Sequence, residues 1–280
     1  MRPEKRDWEK YDEEHPYIPH PRDPTGATPN NEGGPKEQKW GNWTKADPNA
    51  VRQGKIDELT QRIYRQNQTL AATQPGRLNE FIQKQVNLMK PTTDWKLPNG
   101  TVVSITNGVR STPEQQKQLM DVAEKLTNKY PPSGDKPPVT FNILDSKAAT
   151  KFIGANANGA TVEGGTQVWI APKVFSKGAD DKIAAAAASG WHPPSTAGKS
   201  NIEVTMTHEF GHTLDQPGHS EAVREVMTPK SRDDYLPSPS RYGQTDSAER
   251  YAEAFTEHEL SGGKTDLPLP KALAGPAGWK

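Results

Sequence analysis

The stretch "SNIEVTMTHEFGHTLD", residues 200–215, places two histidines four residues apart, with a glutamate directly after the first. A serine followed three residues later by glutamate has the form of a capping box, so a helix is predicted from Asn201 to about Asp215. On such a helix His208 and His212 project from the same face, one turn apart. Their imidazole nitrogens can therefore bind one metal ion.

Glu209 lies about 100° around the predicted helix from the first histidine. It is close enough to contact a group bound to the metal without itself binding the ion. The alternative is an ordinary pair of surface or core histidines in a chain that has seven histidines in 280 residues. The predicted capped helix and the downstream carboxylates favour the metal site.

Two histidines leave the site short of a third protein ligand. Residues 240–260, "SRYGQTDSAERYAEAFTEHEL", predict a loop, a cap near Thr245 or Asp246, and then a helix. Glu249 and Glu253 would share one face of that helix, where like charges are destabilising unless a cation or donors compensate. A zinc ion would compensate them, with Glu249 as the third ligand and Glu253 accepting the other N–H of a ligating histidine.

Three further side chains compete for the third position. His219 lies eleven residues after the first histidine, but the metzincin pattern requires glycine at 215 and histidine at 218, where this chain has Asp215 and Gly218. Asp215 is only one turn beyond the second histidine and is better placed to orient a histidine than to bind the ion. Asp246 would need the downstream helix to be rotated. The glutamate on that helix ranks first and His219 second.

The composition excludes several other functions. Lys plus Arg and Asp plus Glu both number 35, so the net charge indicates neither nucleic acid nor an anionic membrane as a partner. The chain has no cysteine, so a metal must rely on histidine and carboxylate ligands. No apolar segment long enough for a signal peptide or a membrane span is found. We expect a soluble protein of cytoplasmic, virion-associated or non-classically exported location.

Three segments differ in character along the chain. Residues 1–50 are rich in charge and proline and are predicted to form a disordered or partner-docked arm. Residues 51–95 have apolar residues at helical spacing on both sides of Pro75 and predict a helical hairpin. Residues 96–280 alternate predicted strands and helices, which indicates an α+β domain.

Within the last segment four strands and one further capped helix are predicted. "TVVSIT" and "PVTFNIL" have the alternation of half-buried strands, and "ATVEGGTQVWIAP" predicts two strands around Gly164 and Gly165. Between the first two, "TPEQQKQLMDVAEKLTNKY" begins with Thr112 at the N-cap, proline at N1 and Gln115 in position to complete a capping box.

Together, "HEFGHTLD" and "YGQTDSAERYAEAF" resemble the catalytic domain of the anthrax lethal factor family, which are gluzincin-type zinc metallopeptidases. The resemblance covers about residues 200–260. Tyr242 stands seven residues before Glu249, as in the family pattern Y-G-x-x-x-x-x-E-x-x-A-E-A-F. The resemblance implies a zincin-like fold with a small mixed sheet, an active-site helix and a C-terminal helix.

The resemblance also assigns roles to residues. It implies His208, His212 and Glu249 as zinc ligands, Glu209 as the base, Glu253 as the carboxylate behind a ligand, and Tyr242 as the phenol that donates to the developing oxyanion. The family offers the edge of its sheet to an extended substrate. That implies substrate binding along residues 166–171, namely Gln167, Val168, Trp169 and Ile170.

These residues predict a zinc-dependent endopeptidase acting on a protein or peptide substrate. Three protein ligands leave a fourth position for water, whose pKa zinc lowers towards about 7. Glu209 would take a proton from this water as it attacks the peptide carbonyl. The alternative is a structural or interaction protein, such as a virion component or a toxin or effector scaffold, in which zinc only stabilises the domain and the arm docks to a partner protein.

Overall fold

The computed structural model describes residues 41–88, 90–132, 136–162, 165–215, 220–229 and 231–280. The first forty residues of the predicted arm, and His219, lie outside the described residues. The remainder of the predicted arm, residues 41–50, is not an arm, because Trp43 is buried and the chain after it enters a strand and then a helix.

In the described residues six strands form one mixed sheet in the order β1-β2-β3-β4-β6-β5. The strands are β1 Thr44–Lys45, β2 Thr92–Lys96, β3 Val102–Thr106, β4 Thr140–Ile143, β5 Gly159–Val162 and β6 Gln167–Ile170. β4 runs parallel to both β3 and β6, and the other neighbouring pairs are antiparallel. The predicted α+β class is confirmed.

The helices of the described residues fall between and after the strands. They are α1 Pro48–Gln66, α2 Gln68–Thr73, α3 Pro75–Leu88, α4 Pro113–Lys129, α5 Ser146–Phe152, α6 Ala179–Ala188, α7 Asn201–Leu214, α8 Glu221–Met227, α9 Ser247–Leu260 and α10 Pro268–Ala274. Short 3-10 turns occupy Pro172–Phe175, Pro194–Thr196, Arg232–Asp234 and Tyr242–Gln244. Among the described residues none of these helices combines the length and the apolar character that crossing a membrane requires.

The main core lies between one face of the sheet and the helices α4 and α7. Val103, Phe141 and Val168 point from successive strands to this face and are fully buried, as the period-two alternation of a strand predicts. The ring of Phe141 stacks on that of Phe210 in α7, with centroids 6.3 Å apart and planes 12° apart. This contact fixes α7 against the sheet.

The predicted helix starts are confirmed. Thr112 and Gln115 form a reciprocal capping box at the start of α4. At α7 the Ser200 hydroxyl accepts the N–H of Glu203 at 3.1 Å, and the helix begins at Asn201 as predicted. The Glu203 carboxylate lies 3.5 Å from the Lys199 ammonium.

The helical segment is joined to the sheet, and the predicted boundary between residues 95 and 96 is wrong. α1 and α3 pack through a small cluster of Ile63, Leu78 and Ile82. The boundary cuts through β2, which runs from Thr92 to Lys96. The buried Asp94 of this strand also forms an ion pair of 3.1 Å with Lys55 of α1, which joins the helical segment to the sheet. Lys55 and the Ser104 hydroxyl of β3, which donates to Asp94 Oδ1 at 2.8 Å, together make the burial of this carboxylate favourable.

The prediction that residues 166–171 form the edge of the sheet is also wrong. Gln167–Ile170 pair with β4 on one side and with β5 on the other. A strand paired on both sides has no backbone groups left for an extended substrate. Val168 and Ile170 point into the core and Trp169 packs edge-on against Phe152, so none of these side chains faces a substrate cleft. The strand at this edge is β5.

Candidate metal centre

The helices α7 and α9 approach each other closely at Gly211. A Cβ added there would lie 3.1 Å from the backbone Cα of Ala252 and 3.1 Å from the ring of Phe255. The glycine in "HEFGH" and the alanine facing it therefore permit a helix crossing that larger side chains would prevent. This crossing brings the histidines of α7 opposite the glutamates of α9.

Three predicted ligands meet at this crossing. The Oε2 atom of Glu249 lies 2.9 Å from His208 Nε2 and 3.4 Å from His212 Nε2. The two Nε2 atoms are 3.2 Å apart. His208, His212 and Glu249 thus form a group that could hold a metal ion, with ligand atoms all within 4.8 Å of one another.

The other ring nitrogen of His208 decides what its Nε2 atom offers. His208 Nδ1 lies 2.8 Å from Glu253 Oε1, and a carboxylate there favours the tautomer with its proton on Nδ1. The Nε2 atom of the neutral ring then presents a lone pair towards Glu249. The Oε2 atom of Glu249 is buried and makes no hydrogen bond of acceptable geometry, although it lies only 2.9 Å from that nitrogen. Two facing acceptors are stable only with a cation or a proton between them.

Without a metal, a proton would serve this purpose. Burial lowers the pKa of His208, but its contacts with the carboxylates of Glu249 and Glu253 outweigh that effect and raise its pKa well above the ordinary value. Burial likewise opposes the charge of Glu249, yet its histidine partners hold the pKa of this carboxyl well below the usual range. The site therefore favours a positive charge between the two helices.

Glu253 is held in place from three sides. The Ser240 hydroxyl donates to its Oε2 atom at 2.5 Å, and His192 Nδ1 lies 3.6 Å from the same atom. Burial raises the pKa of Glu253, but the nearby imidazoles of His192 and His208 outweigh it and lower the pKa to about 2. The predicted contact between Glu253 and His208 is present in this geometry, and the role of His208 as a metal ligand stays a prediction.

Glu209 faces the edge strand of the sheet. The Thr161 hydroxyl of β5 lies 3.0 Å from Glu209 Oε2 and 2.6 Å from the Glu209 carbonyl oxygen. A Cβ added at Gly159 would lie 2.7 Å from Glu209 Cγ, so only glycine leaves room for this side chain. Burial raises the pKa of Glu209, which brings it towards the range of a base that works near neutral pH.

Tyr242 stands beside the ligand group. Its ring centroid is 5.6 Å from that of His208 and 5.9 Å from that of His192. Burial, followed by the charge and the hydrogen bond of Glu249, raises the pKa of Tyr242 well above its usual value. The phenol therefore keeps its proton and is available as a donor next to the ligands.

The competing third ligands have other positions. Asp246 is the N-cap of α9 and accepts the N–H of Glu249 at 2.9 Å, which confirms the predicted cap. Asp215 ends α7 and its charge acts on Tyr251. A role for Asp215 in orienting a histidine stays a prediction. Of the candidates in the described residues, Glu249 is the one that meets the two histidines.

Four residues of the site were missed from the sequence. His192 and Ser240 come from loops, and Gly159 and Thr161 come from the edge strand. Gly159 stands directly before the predicted strand segment, which begins at Ala160, so the strand pattern did not indicate its close approach to Glu209. None of the four has a spacing relative to the histidines that would indicate its place.

No family model, no curated protein and no solved structure matches the chain. Function must therefore be inferred from the residues that meet between α7, α9 and β5. They supply two imidazoles, two carboxylates around them, a further buried glutamate and a protonated phenol.

Proposed function

We propose that the protein is a zinc-dependent endopeptidase with a zincin-like domain related to the lethal factor family. The observation that carries the proposal is the convergence of His208 Nε2, His212 Nε2 and Glu249 Oε2, with Glu209 and Tyr242 beside them. Ligands, a buried carboxylate base and a phenol donor in one place form the complete set for metal-assisted peptide hydrolysis.

The ligand group fits zinc in both chemistry and spacing. Zinc binds imidazole nitrogen at about 2.0–2.1 Å and carboxylate oxygen at about 2.0–2.2 Å in tetrahedral geometry, which sets its ligand atoms about 3.3 Å apart. The three pairs of ligand atoms here are 2.9, 3.2 and 3.4 Å apart. Two histidines and a glutamate also leave a fourth position open, as catalytic zinc sites require. Zinc would give the buried Glu249 Oε2 atom its missing partner.

Each group at the site then has one chemical role. When bound, zinc supplies a Lewis acid that polarises a carbonyl and makes water more acidic. Glu209 takes the proton of the attacking water and passes it to the nitrogen of the leaving amine as the C–N bond breaks. Tyr242 donates its hydroxyl proton in a hydrogen bond to the carbonyl oxygen as negative charge develops there.

An extended peptide is the substrate class that the edge strand favours. The N–H of Ala171 donates to the carbonyl of Asn158, and bonded pairs alternate along an antiparallel ladder. The backbone groups of Gly159 and Thr161 therefore point away from β6. A substrate segment that adds to β5 would run beside Glu209, so β5 replaces residues 166–171 as the proposed docking strand.

The test compares metal content and cleavage in one variant pair. Wild-type protein should contain about one zinc per chain by plasma mass spectrometry and should cleave peptides from a mixed library. Glu209→Gln should keep the zinc and lose about a hundredfold to ten-thousandfold in rate, since a general base contributes this much. Glu203→Gln is the matched control, because this glutamate lies on the same helix and contacts Lys199 instead.

Cleavage that persists in Glu209→Gln would contradict the mechanism. Stoichiometric zinc without cleavage of any peptide by the wild type would instead favour the structural or interaction protein as the function.

A further inference from the structure

One exposed aromatic side chain lies next to the proposed active site. Trp191 is 44% exposed, and the other exposed large hydrophobic side chains in the described residues are Tyr64, Phe152 and Tyr235. Single exposed aromatics are common and need no function. Trp191 differs in its position, because its ring centroid is 5.8 Å from that of Tyr242.

The three rings His208, Tyr242 and Trp191 form a continuous row. Tyr242 is tilted by 33° to both neighbours, at centroid distances of 5.6 and 5.8 Å. The row thus begins at a metal ligand and ends at the protein surface, at most about 11 Å away. An extended chain advances about 3.3 Å per residue. Trp191 is therefore within reach of a side chain two or three residues from the bond that is cut.

The loop that carries Trp191 is held by main-chain hydrogen bonds. The Trp191 N–H donates to Ala186 O at 2.8 Å, and its carbonyl accepts the N–H of Tyr242 at 3.1 Å. The carbonyl of Gly190 accepts the N–H of Arg241 at 2.9 Å. At Gly190 the backbone adopts φ of 72°, which favours glycine. The main chain at Trp191 is thereby held next to Tyr242, and a ligand that stacks on the indole has little loop ordering to overcome.

The chemistry around the indole selects its occupant. A flat indole face accepts aromatic rings and large aliphatic groups, and it also attracts cations. The guanidinium of Arg241, however, donates to the carbonyl of Ser189 at 2.8 Å, two residues before Trp191. This positive charge disfavours the binding of a cationic substrate side chain on the indole. The favoured occupant is an uncharged aromatic or large aliphatic side chain.

We propose that Trp191 is a specificity-determining residue, the wall of a subsite for an aromatic or large aliphatic substrate side chain two or three residues from the cleaved bond. The inference rests on the proposed peptidase function. Trp191 takes no part in proton transfer. It contacts the substrate beyond Tyr242 and sets which peptides are bound productively.

The first test measures preference as kcat/KM. Matched peptides carry Phe or Ser at each of the three positions on either side of the cleaved bond. Wild-type protein should prefer Phe by about tenfold or more at one position, two or three residues from the bond. Trp191→Ala should lose this preference, mainly through KM, and Trp191→Phe should keep most of it.

Phe152→Ala is the matched control. Phe152 is 55% exposed but packs on Trp169, away from the row of rings, so its removal should leave the preference unchanged. Thermal unfolding of all three variants checks that the fold is retained. A wild-type enzyme with no preference at these positions, or an unchanged preference in Trp191→Ala, would overturn the proposal.

The second test does not require turnover. In zinc-loaded Glu209→Gln protein, binding of the labelled Phe peptide, measured by fluorescence anisotropy, should weaken about tenfold when Trp191→Ala is added, and binding of the Ser peptide should not change. If the wild type cleaves nothing, the proposed peptidase function fails, and this binding difference still tests whether Trp191 contacts the Phe side chain of a bound peptide. Equal binding of the Phe peptide with and without Trp191→Ala, or no binding at all, would overturn the inference.

Discussion

The two ends of helix α9 bury carboxylates in opposite surroundings. Near its start Glu249 faces the histidines of α7, and near its end Glu259 faces lysines of α4. Each carboxylate has one buried oxygen that makes no hydrogen bond of acceptable geometry. Each also has a lowered pKa, because its partners outweigh the effect of burial. By burial and pKa direction alone the two would look alike.

The difference lies in the partners. Lys125 and Lys129 approach Glu259 at 2.9 and 2.6 Å, and Tyr130 donates to it at 3.0 Å. An ammonium carries three protons at every pH of interest, so this end of the helix is compensated permanently. The imidazole that faces Glu249 offers a lone pair once its other nitrogen has donated to Glu253. A buried carboxylate that faces lone pairs indicates a site for a cation, and one that faces ammonium groups indicates a structural ion pair.

The largest difference between the two ends should appear on removal of each charge. Glu249→Gln should weaken zinc binding by more than about a hundredfold, because it removes an anionic ligand from the ion. Cleavage should be lost with the metal. Competition with a chelating dye measures the affinity. Glu259→Gln on the same helix is the control and should leave zinc affinity within about twofold. A similar loss of zinc affinity in both variants would contradict the assignment of Glu249 as a metal ligand and Glu259 as part of a structural ion pair.

A smaller effect is expected at Glu253, which supports a ligand without touching the ion. Glu253→Gln keeps an acceptor for His208 Nδ1 but removes its charge. Zinc affinity should fall by about tenfold to a hundredfold, as is typical for such carboxylate partners of ligating histidines. The same dye competition applies. An affinity equal to that of the wild type would mean that Glu253 is compensated by Ser240 and His192 alone.

The smallest effect should be at Glu259, and it should concern stability and not metal. Lys125 and Lys129 are 54% and 26% exposed, so both can turn to water when Glu259→Gln removes their partner. We expect a loss of about 1–2 kcal/mol in the free energy of unfolding of the zinc-free protein. Urea unfolding at pH 7 in the presence of a chelator measures it.

The pH dependence of that loss provides a check of its cause. The pKa of Glu259 is lower in the folded chain than its unfolded value of about 4.3, so its contribution is present above that pH. As the pH falls through the folded pKa the contribution disappears, and the wild type should then lose its advantage over Glu259→Gln. An advantage that is the same at pH 7 and pH 3 would show that the carboxylate charge is not its source.

The parts of the site that helical periodicity determines could be predicted. His208, His212, Glu249 and Glu253 follow from spacings of four residues on two helices, and local geometry fixes such pairs. Gly211 also belongs to the local motif, although its contact with Ala252 became visible only in the packed structure. The relative placement of the two helices is a tertiary property, which spacing along one chain does not contain.

The parts of the site that depend on strand order and loop packing could not be predicted from the sequence. Alternation marks residues 167–170 as a strand but does not say whether its neighbours lie on one side or on both. The family resemblance implies that this strand is the edge, whereas the strand order places β5 there. Asp94 falls in the segment predicted as a helical hairpin, and its pairing with Lys55, 39 residues away, is a tertiary contact that helical spacing does not indicate. His192 reaches Glu253 from a proline-rich loop with no periodic pattern.

The most direct test of the proposed metal centre is a crystal structure of the zinc-loaded protein with data collected on both sides of the zinc absorption edge. We expect one strong anomalous peak per chain, within about 2.0–2.2 Å of His208 Nε2, His212 Nε2 and a carboxylate oxygen of Glu249. A zinc peak that excludes Glu249, or one completed by His219 in its place, would contradict it.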